Sequence, residues 1–102
     1  MSYIDGYLIP VSTAKREDYR RLAEFAAPIF IDDGAIEVVE CWGDDMMRGQ
    51  TTDFFMAVKA EDDESVVFSW IKWPDKATRD AGNKASMADP RFAEMDNHHK
   101  MG

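Results

Sequence analysis

Residues 65–74 have the sequence SVVFSWIKWP, whose β-branched and aromatic side chains predict a β-strand between an acidic turn and a proline. Successive side chains of a strand point to opposite faces of the sheet. Both faces of this strand are apolar, with Val66, Phe68 and Trp70 on one and Val67, Ile71 and Trp73 on the other. Both must therefore be covered, and a single layer of helices covers only one of them. A second copy of the chain is the expected cover for the other face.

The composition is that of a small, acidic globular protein. The chain has 102 residues, a formal net charge of −8 and 45% hydrophobic residues, which predicts one domain over residues 1–102. Negative charge repels nucleic-acid phosphates, and no apolar run approaches the roughly 18 residues of a membrane span. We therefore expect no nucleic-acid partner and no membrane insertion. Cys41 is the only cysteine, which excludes an internal disulfide, and a cytoplasmic location is expected.

The rest of the chain predicts two more strands and two main helices. Strands are expected over residues 3–11 and 35–42, where apolar residues alternate with others. After Thr13, apolar residues three and four positions apart predict a helix that Pro28 should kink or end. Asp75 is a suitable N-cap for the second helix. The inward-facing stripe of this second helix is expected to consist of alanines, namely Ala77, Ala81, Ala85 and Ala88.

Three shorter features complete the predicted structure. Gly34 should end the first helix in a left-handed conformation. Residues 51–60 are compatible with a short helix or a short strand, and a helical turn capped by Thr52 or Asp53 is favoured. Cys41 is expected to be a small buried hydrophobic residue.

The order strand, helix, strand, strand, helix predicts an α+β fold, a ferredoxin-like unit without its final strand. We therefore expect the natural chain to continue beyond Gly102 with about ten to fifteen residues that contain a strand. This strand is expected to pair beside residues 35–42. If the protein ends at Gly102, another element such as a partner strand should cover that edge of the sheet.

Six segments of the chain are YIDGY (3–7), VECWGDD (39–45), DF (53–54), AVKA (57–60), VVFSWIKWP (66–74) and MADPR (87–91). In this order, and over nearly the whole chain, they resemble the YbaA-like family of uncharacterised bacterial proteins, which belongs to the dimeric α/β-barrel superfamily. The resemblance implies a dimer in which the helices lie outside and two sheets face each other around a cavity. It implies no reaction, although relatives in the superfamily include cofactor-independent quinone-forming monooxygenases and haem-degrading enzymes. The chain departs from the family pattern by lacking a final strand that usually contains Gly-Gly-Phe.

Two carboxylates are weak candidates for a general base. Asp5 lies in the middle of the first strand between Tyr3 and Tyr7, where burial would raise its pKa. The alternative for Asp5 is a solvent-facing position at a strand edge. Glu40 alternates with apolar residues, so it is either a functional group or a member of a salt bridge.

Three aromatic residues, Tyr7, Trp42 and Trp70, are candidates for binding a planar ligand, although aromatic residues in a sheet more often form a core or a dimer interface. His98 and His99 form the only histidine pair. They lack a second cluster of metal-binding residues in the sequence, so we expect neither a metal nor a cofactor, and chelation should leave the melting temperature unchanged.

Three functions are compatible with these features, and whether the protein is an enzyme stays open. The first is a homodimer that binds a small aromatic or otherwise apolar molecule in a cavity between its sheets. The second is a cofactor-independent monooxygenase of a phenolic or quinol substrate, with Asp5 or Glu40 as the base and Tyr7 with Trp42 or Trp70 as walls. The third is an interaction module with a solid dimer core.

The dimer should bury more than about 1,000 Å² in total, the usual minimum for a specific interface. Trp70→Asp or Trp42→Asp is expected to weaken folding and dimerisation together, because either change places a charge in an apolar layer.

Overall fold

The computed structural model of the protein describes residues 2–93. These residues form a mixed α+β structure, which confirms the predicted class. Within them, no helix combines the length and the apolar character needed to cross a membrane. The strands are β1 (Tyr3–Ser12), β2 (Glu37–Trp42) and β3 (Glu64–Trp73), and the helices are α1 (Arg16–Asp32), α2 (Phe54–Ala57) and α3 (Lys76–Met87).

Strand β3 lies at the centre of a three-stranded sheet of order β1-β3-β2 and is antiparallel to both neighbours. Tyr3 of β1 lies opposite Trp73, and Glu37 of β2 lies opposite Lys72. Because both outer strands are antiparallel to β3, they are parallel to each other. The connection through α1 therefore joins two strands that β3 separates.

Helices α1 and α3 pack against one face of the sheet, which we call the helix-covered face. Trp73 is fully buried on this face, and it contacts α3 closely at Gly82. Val67 and Ile71, which lie on the same face of β3 as Trp73, are also buried. The core cluster on this face consists of Ala35, Ile71 and Trp73, against which Tyr3, Phe30 and Val38 pack.

The opposite face of the sheet, which we call the open face, has no layer of helices over it. Ile4 is 55% exposed there, and Phe68 is 41% exposed. The short helix α2 covers one end, where the Phe54 ring stacks on Phe68 with a centroid distance of 5.8 Å. Cys41 lies opposite Phe68 and is exposed, so the prediction that it is buried is wrong for the single chain.

Two of the predicted helix caps are confirmed. The Asp75 carboxylate accepts a hydrogen bond from the Thr78 backbone N–H at 2.7 Å, and Asp53 accepts one from Met56 N–H at 2.8 Å. Gly34 has a φ of +118°, which confirms that α1 ends at a conformation that glycine favours. Pro28, however, does not end the helix, because α1 continues to Asp32.

The predicted alanine stripe of α3 is wrong. All four alanines are exposed, and the residues of α3 that are buried are Gly82 and Ser86. The reason is the indole of Trp73, which occupies the space directly against the helix backbone. A Cβ atom at Gly82 would lie 2.3 Å from this ring, so only the glycine face of α3 can approach it.

A cluster that we call the Arg91 clasp joins the C-terminal ends of α1 and α3. The Arg91 guanidinium contacts Asp32 at 2.8 Å and Asp89 at 2.8 Å. Nearby, the Ser86 hydroxyl donates a hydrogen bond to Asp33 at 2.9 Å. The hydrogen bonds from the Arg91 side chain and backbone N–H lower the pKa of Asp89 to about 2.

We expect the stabilising effect of the clasp to depend on pH in a defined window. The pKa of Asp89 is lower in the folded protein than the roughly 3.9 of a free aspartate, so its contribution is fully present above that value. Urea unfolding of the wild type and of Asp89→Asn should therefore differ most above about pH 5. The difference should shrink as the pH falls from 4 towards 2 because the carboxylate is then protonated.

Asp62→Asn is the matched control, because Asp62 is an exposed acidic residue outside the clasp. This variant should unfold like the wild type at every pH. A constant difference between the wild type and Asp89→Asn from pH 6 to pH 2 would contradict the role assigned to the Asp89 charge.

Candidate functional site

The sheet distributes the five candidate site residues over two faces. Asp5, Tyr7, Glu40 and Trp42 are on the helix-covered face, because they pair with odd-numbered residues of β3 that face the helices. Trp70 has the opposite parity and lies on the open face. Within one chain, the five residues therefore do not surround a single cavity.

Asp5 is the partner of an arginine from α3. Its Oδ2 atom lies 3.1 Å from Nε of Arg79, and the Arg79 Nη2 group donates a hydrogen bond to the Tyr3 hydroxyl at 2.9 Å. The contact between Asp5 and Arg79 is an ion pair without the alignment of a hydrogen bond. The Asp5 side chain is only 18% exposed, so this cation compensates a carboxylate that is largely removed from water.

Tyr7 follows Asp5 on the same face of β1. Partial burial, and then the negative charge of Asp5, raise the pKa of the Tyr7 hydroxyl. Its side chain lines a hollow of about 340 Å³ between the sheet and the ends of α1 and α3, together with Phe30 and Asn83. Neither Glu40 nor Trp42 is among the described residues that line this hollow.

Glu40 is held by a tyrosine from α1. The Tyr19 hydroxyl donates a hydrogen bond to Oε2 of Glu40 at 2.8 Å. Burial, and then this hydrogen bond, raise the pKa of Tyr19 well above its usual range. Beside this pair, the guanidinium carbon of Arg16 lies 5.2 Å from the centre of the Trp42 ring, within the range of a cation–π contact.

Two adjacent hollows of about 550 Å³ each lie between α1 and the sheet, and together we call them the α1 cleft. They share Tyr19, Ala23 and Glu40, so the hydrogen bond between Tyr19 and Glu40 lies where they meet. The space exists because small side chains line this part of α1. The polar chamber, beside β2, is lined by Arg16, Arg20, Glu24, Ala27, Val38 and Trp42, and the apolar chamber, beside β1, by Ile9, Pro10, Val11, Leu22 and Ala26, among others.

Of the residues that line this cleft, Glu40 and Trp42 are candidate site residues from the sequence. Arg16, Tyr19 and Ala23 also line it, and the sequence did not identify them as candidates. The three-and-four spacing of apolar residues on α1, which includes Tyr19 and Ala23, predicts only a helix and no role in a site. The signal that could have identified the cleft is the cluster of alanines on α1, because such small residues leave space beside a sheet. The position of Tyr19 opposite Glu40 depends on packing and is absent from the local pattern.

Trp70 belongs to an aromatic row on the open face. Its indole N–H donates a hydrogen bond to Glu37 at 3.1 Å, and its ring lies 5.6 Å from the ring of Phe68. Phe54 extends the row through its stacking on Phe68. This row forms an apolar strip that is only partly covered in the single chain.

Among residues 2–93, no group of three or more histidine, cysteine or acidic side chains is arranged to hold a metal ion. The sequence candidates for weak metal binding, His98 and His99, lie outside the described residues.

Comparison with known proteins assigns the chain to a family. Residues 2–101 match the family model described as "Protein of unknown function (DUF1428)". The chain is 51% identical over 95 residues to "Uncharacterized protein YbaA" of Escherichia coli strain K12, and equally to the protein of that name from Shigella flexneri. In both cases the alignment covers 93% of this chain and 81% of the relative. The resemblance found in the sequence is thus confirmed, and the chain belongs to this YbaA-like family of proteins of unknown function, DUF1428.

Proposed function

We propose that the protein is a homodimer of ferredoxin-like subunits and that each subunit binds a small aromatic or otherwise apolar molecule in its α1 cleft. The observation that carries the binding proposal is the cleft itself. Each chamber, at about 550 Å³, has the size of an ordinary ligand pocket, roughly 300–1,000 Å³. The sequence suggested a cavity between two sheets. The α1 cleft is favoured here because it holds Glu40 and Trp42 on the face that also carries Asp5 and Tyr7.

The strand order supports the ferredoxin-like assignment. In β1-α1-β2, the inserted strand β3 separates two parallel strands, which is the split arrangement typical of that fold.

The backbone of β1 is that of an edge strand of the described sheet. Thr13 N–H donates to the Asp63 carbonyl, so by alternation the odd-numbered residues of β1 direct their backbone groups towards β3. Pro10 therefore lies where its missing N–H costs no bond to β3, as expected of an edge strand.

The open face supports the homodimer. Helices cover one side of the sheet, whereas Ile4, Leu8, Phe68 and Trp70 form an apolar surface on the other. A second copy of the same surface would remove these side chains from water, and burial of apolar area is the main favourable term in association. The dimer would leave both α1 clefts on the outside, one for each subunit.

The binding proposal can be tested with N-phenyl-1-naphthylamine, a neutral aromatic dye that fluoresces in apolar sites. The wild type should bind it saturably. Ala23→Leu should weaken binding at least about tenfold, because Ala23 lines both chambers and the larger side chain fills the space between them. Fluorescence titration measures both affinities.

The matched control is Ala81→Leu, the same change at an exposed position of α3, which should leave the affinity unchanged. Absence of saturable binding to the wild type would contradict the proposal and favour an interaction module. Equal binding by Ala23→Leu would place the dye elsewhere and also contradict the cleft.

The monooxygenase alternative receives less support from the same geometry. A general base must lie within hydrogen-bond reach of the substrate proton, and a carboxylate already engaged by a neighbour is less available for that role. Asp5 is paired with Arg79, and Glu40 already accepts the hydrogen bond of Tyr19. Neither candidate base is therefore free in this arrangement, and we do not advance an oxygenase activity.

A further inference from the structure

We infer that the ligand of the α1 cleft is an amphiphilic anion whose acidic group binds Arg16 in the polar chamber and whose apolar body occupies the apolar chamber. This inference rests on the proposed function and specifies the chemical class of the ligand. It is argued from the difference between the chambers and from the charges that line them.

The two chambers offer different surroundings to a ligand. The apolar chamber has a floor of aliphatic side chains from β1 and α1, including Ile9, Val11 and Leu22. The polar chamber lies beside β2 and brings Arg16 next to Trp42. Because the chambers meet at one place, a single molecule that spans both would have one apolar end and one polar end.

Arg16 is the cation of the polar chamber that has no acidic partner among the described residues. The neighbouring Arg20 is neutralised by Glu17, at 3.0 Å, and by Glu24. The carboxylates of Glu40, in the shared wall, and Glu64, in the apolar chamber, accept hydrogen bonds from Tyr19 and from the Glu61 backbone N–H, and neither is paired with Arg16. An unpaired arginine in a concave wall is notable in a chain with a formal net charge of −8, in which acidic partners are abundant.

The environment of Arg16 also prepares it to bind an anion. The Trp42 ring lies under its guanidinium group, which restricts the long side chain and leaves its N–H donors available. A guanidinium group presents these donors in a planar fork that matches a carboxylate or a sulfonate. Lys15 adds a second cation, in the wall of the apolar chamber, and has no ion pair among the described residues.

Two dyes with nearly the same aromatic body test the inference. The probe 1-anilinonaphthalene-8-sulfonate carries a sulfonate, whereas N-phenyl-1-naphthylamine is neutral. The wild type should bind the sulfonate dye more tightly, and 0.5 M salt should reduce this advantage because it screens the charge at the cleft mouth. Arg16→Gln should weaken the sulfonate dye about tenfold, within the range of charge-assisted hydrogen bonds, and the neutral dye by a much smaller factor.

Arg21→Gln is the matched control, because Arg21 is an exposed arginine of α1 that does not line the cleft. It should bind both dyes like the wild type, and Arg16→Lys should retain part of the preference for the sulfonate. Saturable binding of the neutral dye to Arg16→Gln shows that the cleft is intact.

The outcomes separate this inference from the proposed function. If both dyes bind the wild type equally, or if Arg16→Gln weakens both by the same factor, the anionic ligand is ruled out and the cleft remains. If neither dye binds saturably, the proposed function fails, and the inference fails with it.

Discussion

Replacing Gly82 with alanine is expected to lower the free energy of unfolding by about 2–3 kcal/mol, the upper part of the range for overpacking a core. The added Cβ would lie 2.3 Å and 2.6 Å from two atoms of the Trp73 ring and 2.8 Å from the Asp33 carbonyl oxygen. Trp73 is fully buried and cannot move aside without disturbing the core. For a domain of this size, the melting temperature should fall by about 10–20 °C.

The control for this prediction is the reverse substitution, alanine to glycine, at the preceding position of α3. Ala81 is exposed on α3, and Ala81→Gly should cost only about 1 kcal/mol through helix propensity. Helix propensity favours alanine over glycine at both positions. The clash with Trp73 is therefore the reason why glycine is expected to be the more stable residue at position 82. Thermal and urea unfolding measure both variants. A Gly82→Ala protein as stable as the wild type would show that the packing of α3 on Trp73 is looser than described.

Phe68→Asp is expected to convert the proposed homodimer into a folded monomer. Phe68 is 41% exposed in the single chain, so a charge at this position costs little in the monomer. In the proposed dimer the same carboxylate would be buried without a partner. The dissociation constant should rise at least about thirtyfold, corresponding to the loss of about 2 kcal/mol that defines a central interface residue.

Light scattering at about 10 µM measures this change, and circular dichroism verifies folding. The effect should be large because a residue at the centre of an interface contributes far more than one at its rim. Met87→Asp is the control, because Met87 is 87% exposed on α3 and the charge change is identical. A monomeric wild type, or a Phe68→Asp protein that remains dimeric, would rule out the open face as the interface. Trp42→Asp no longer belongs to this test, since Trp42 lies on the helix-covered face.

The sequence was most informative where one residue determines the local structure. Asp53 and Asp75 were identified as helix caps because a short carboxylate before a helix satisfies its free N–H groups. The central strand was identified because its residues are apolar on both faces. Such signals are local, and the tertiary structure did not alter them.

The sequence was less informative where a neighbour far along the chain decides the outcome. The orientation of α3 depends on the Trp73 ring, which requires Gly82 beside it and turns the alanines outwards. Cys41 was expected to be buried on the basis of residue type, yet it lies on the face that the helices leave uncovered. In both cases the decisive information is which face is covered.

The candidate site shows the same division. Alternation placed Asp5 with Tyr7 and Glu40 with Trp42, and both pairs were found on one face. Alternation within each strand could not show that Trp70 lies on the other face, because this depends on the register between strands. The partner of Glu40 comes from a helix, and the spacing of apolar residues there gave Tyr19 no special role.

The Arg91 clasp also affects the order in which the chain can acquire its structure. Asp32 and Asp33 are acidic residues at the C-terminal end of α1, where their charge opposes the helix dipole. Their compensating partners, Arg91 and Ser86, follow 59 and 53 positions later. During synthesis, the last turn of α1 therefore leaves the ribosome before the groups that stabilise it exist. The side-chain contacts that hold this turn form only after the second half of the chain has emerged, which couples the end of α1 to the segment around the end of α3.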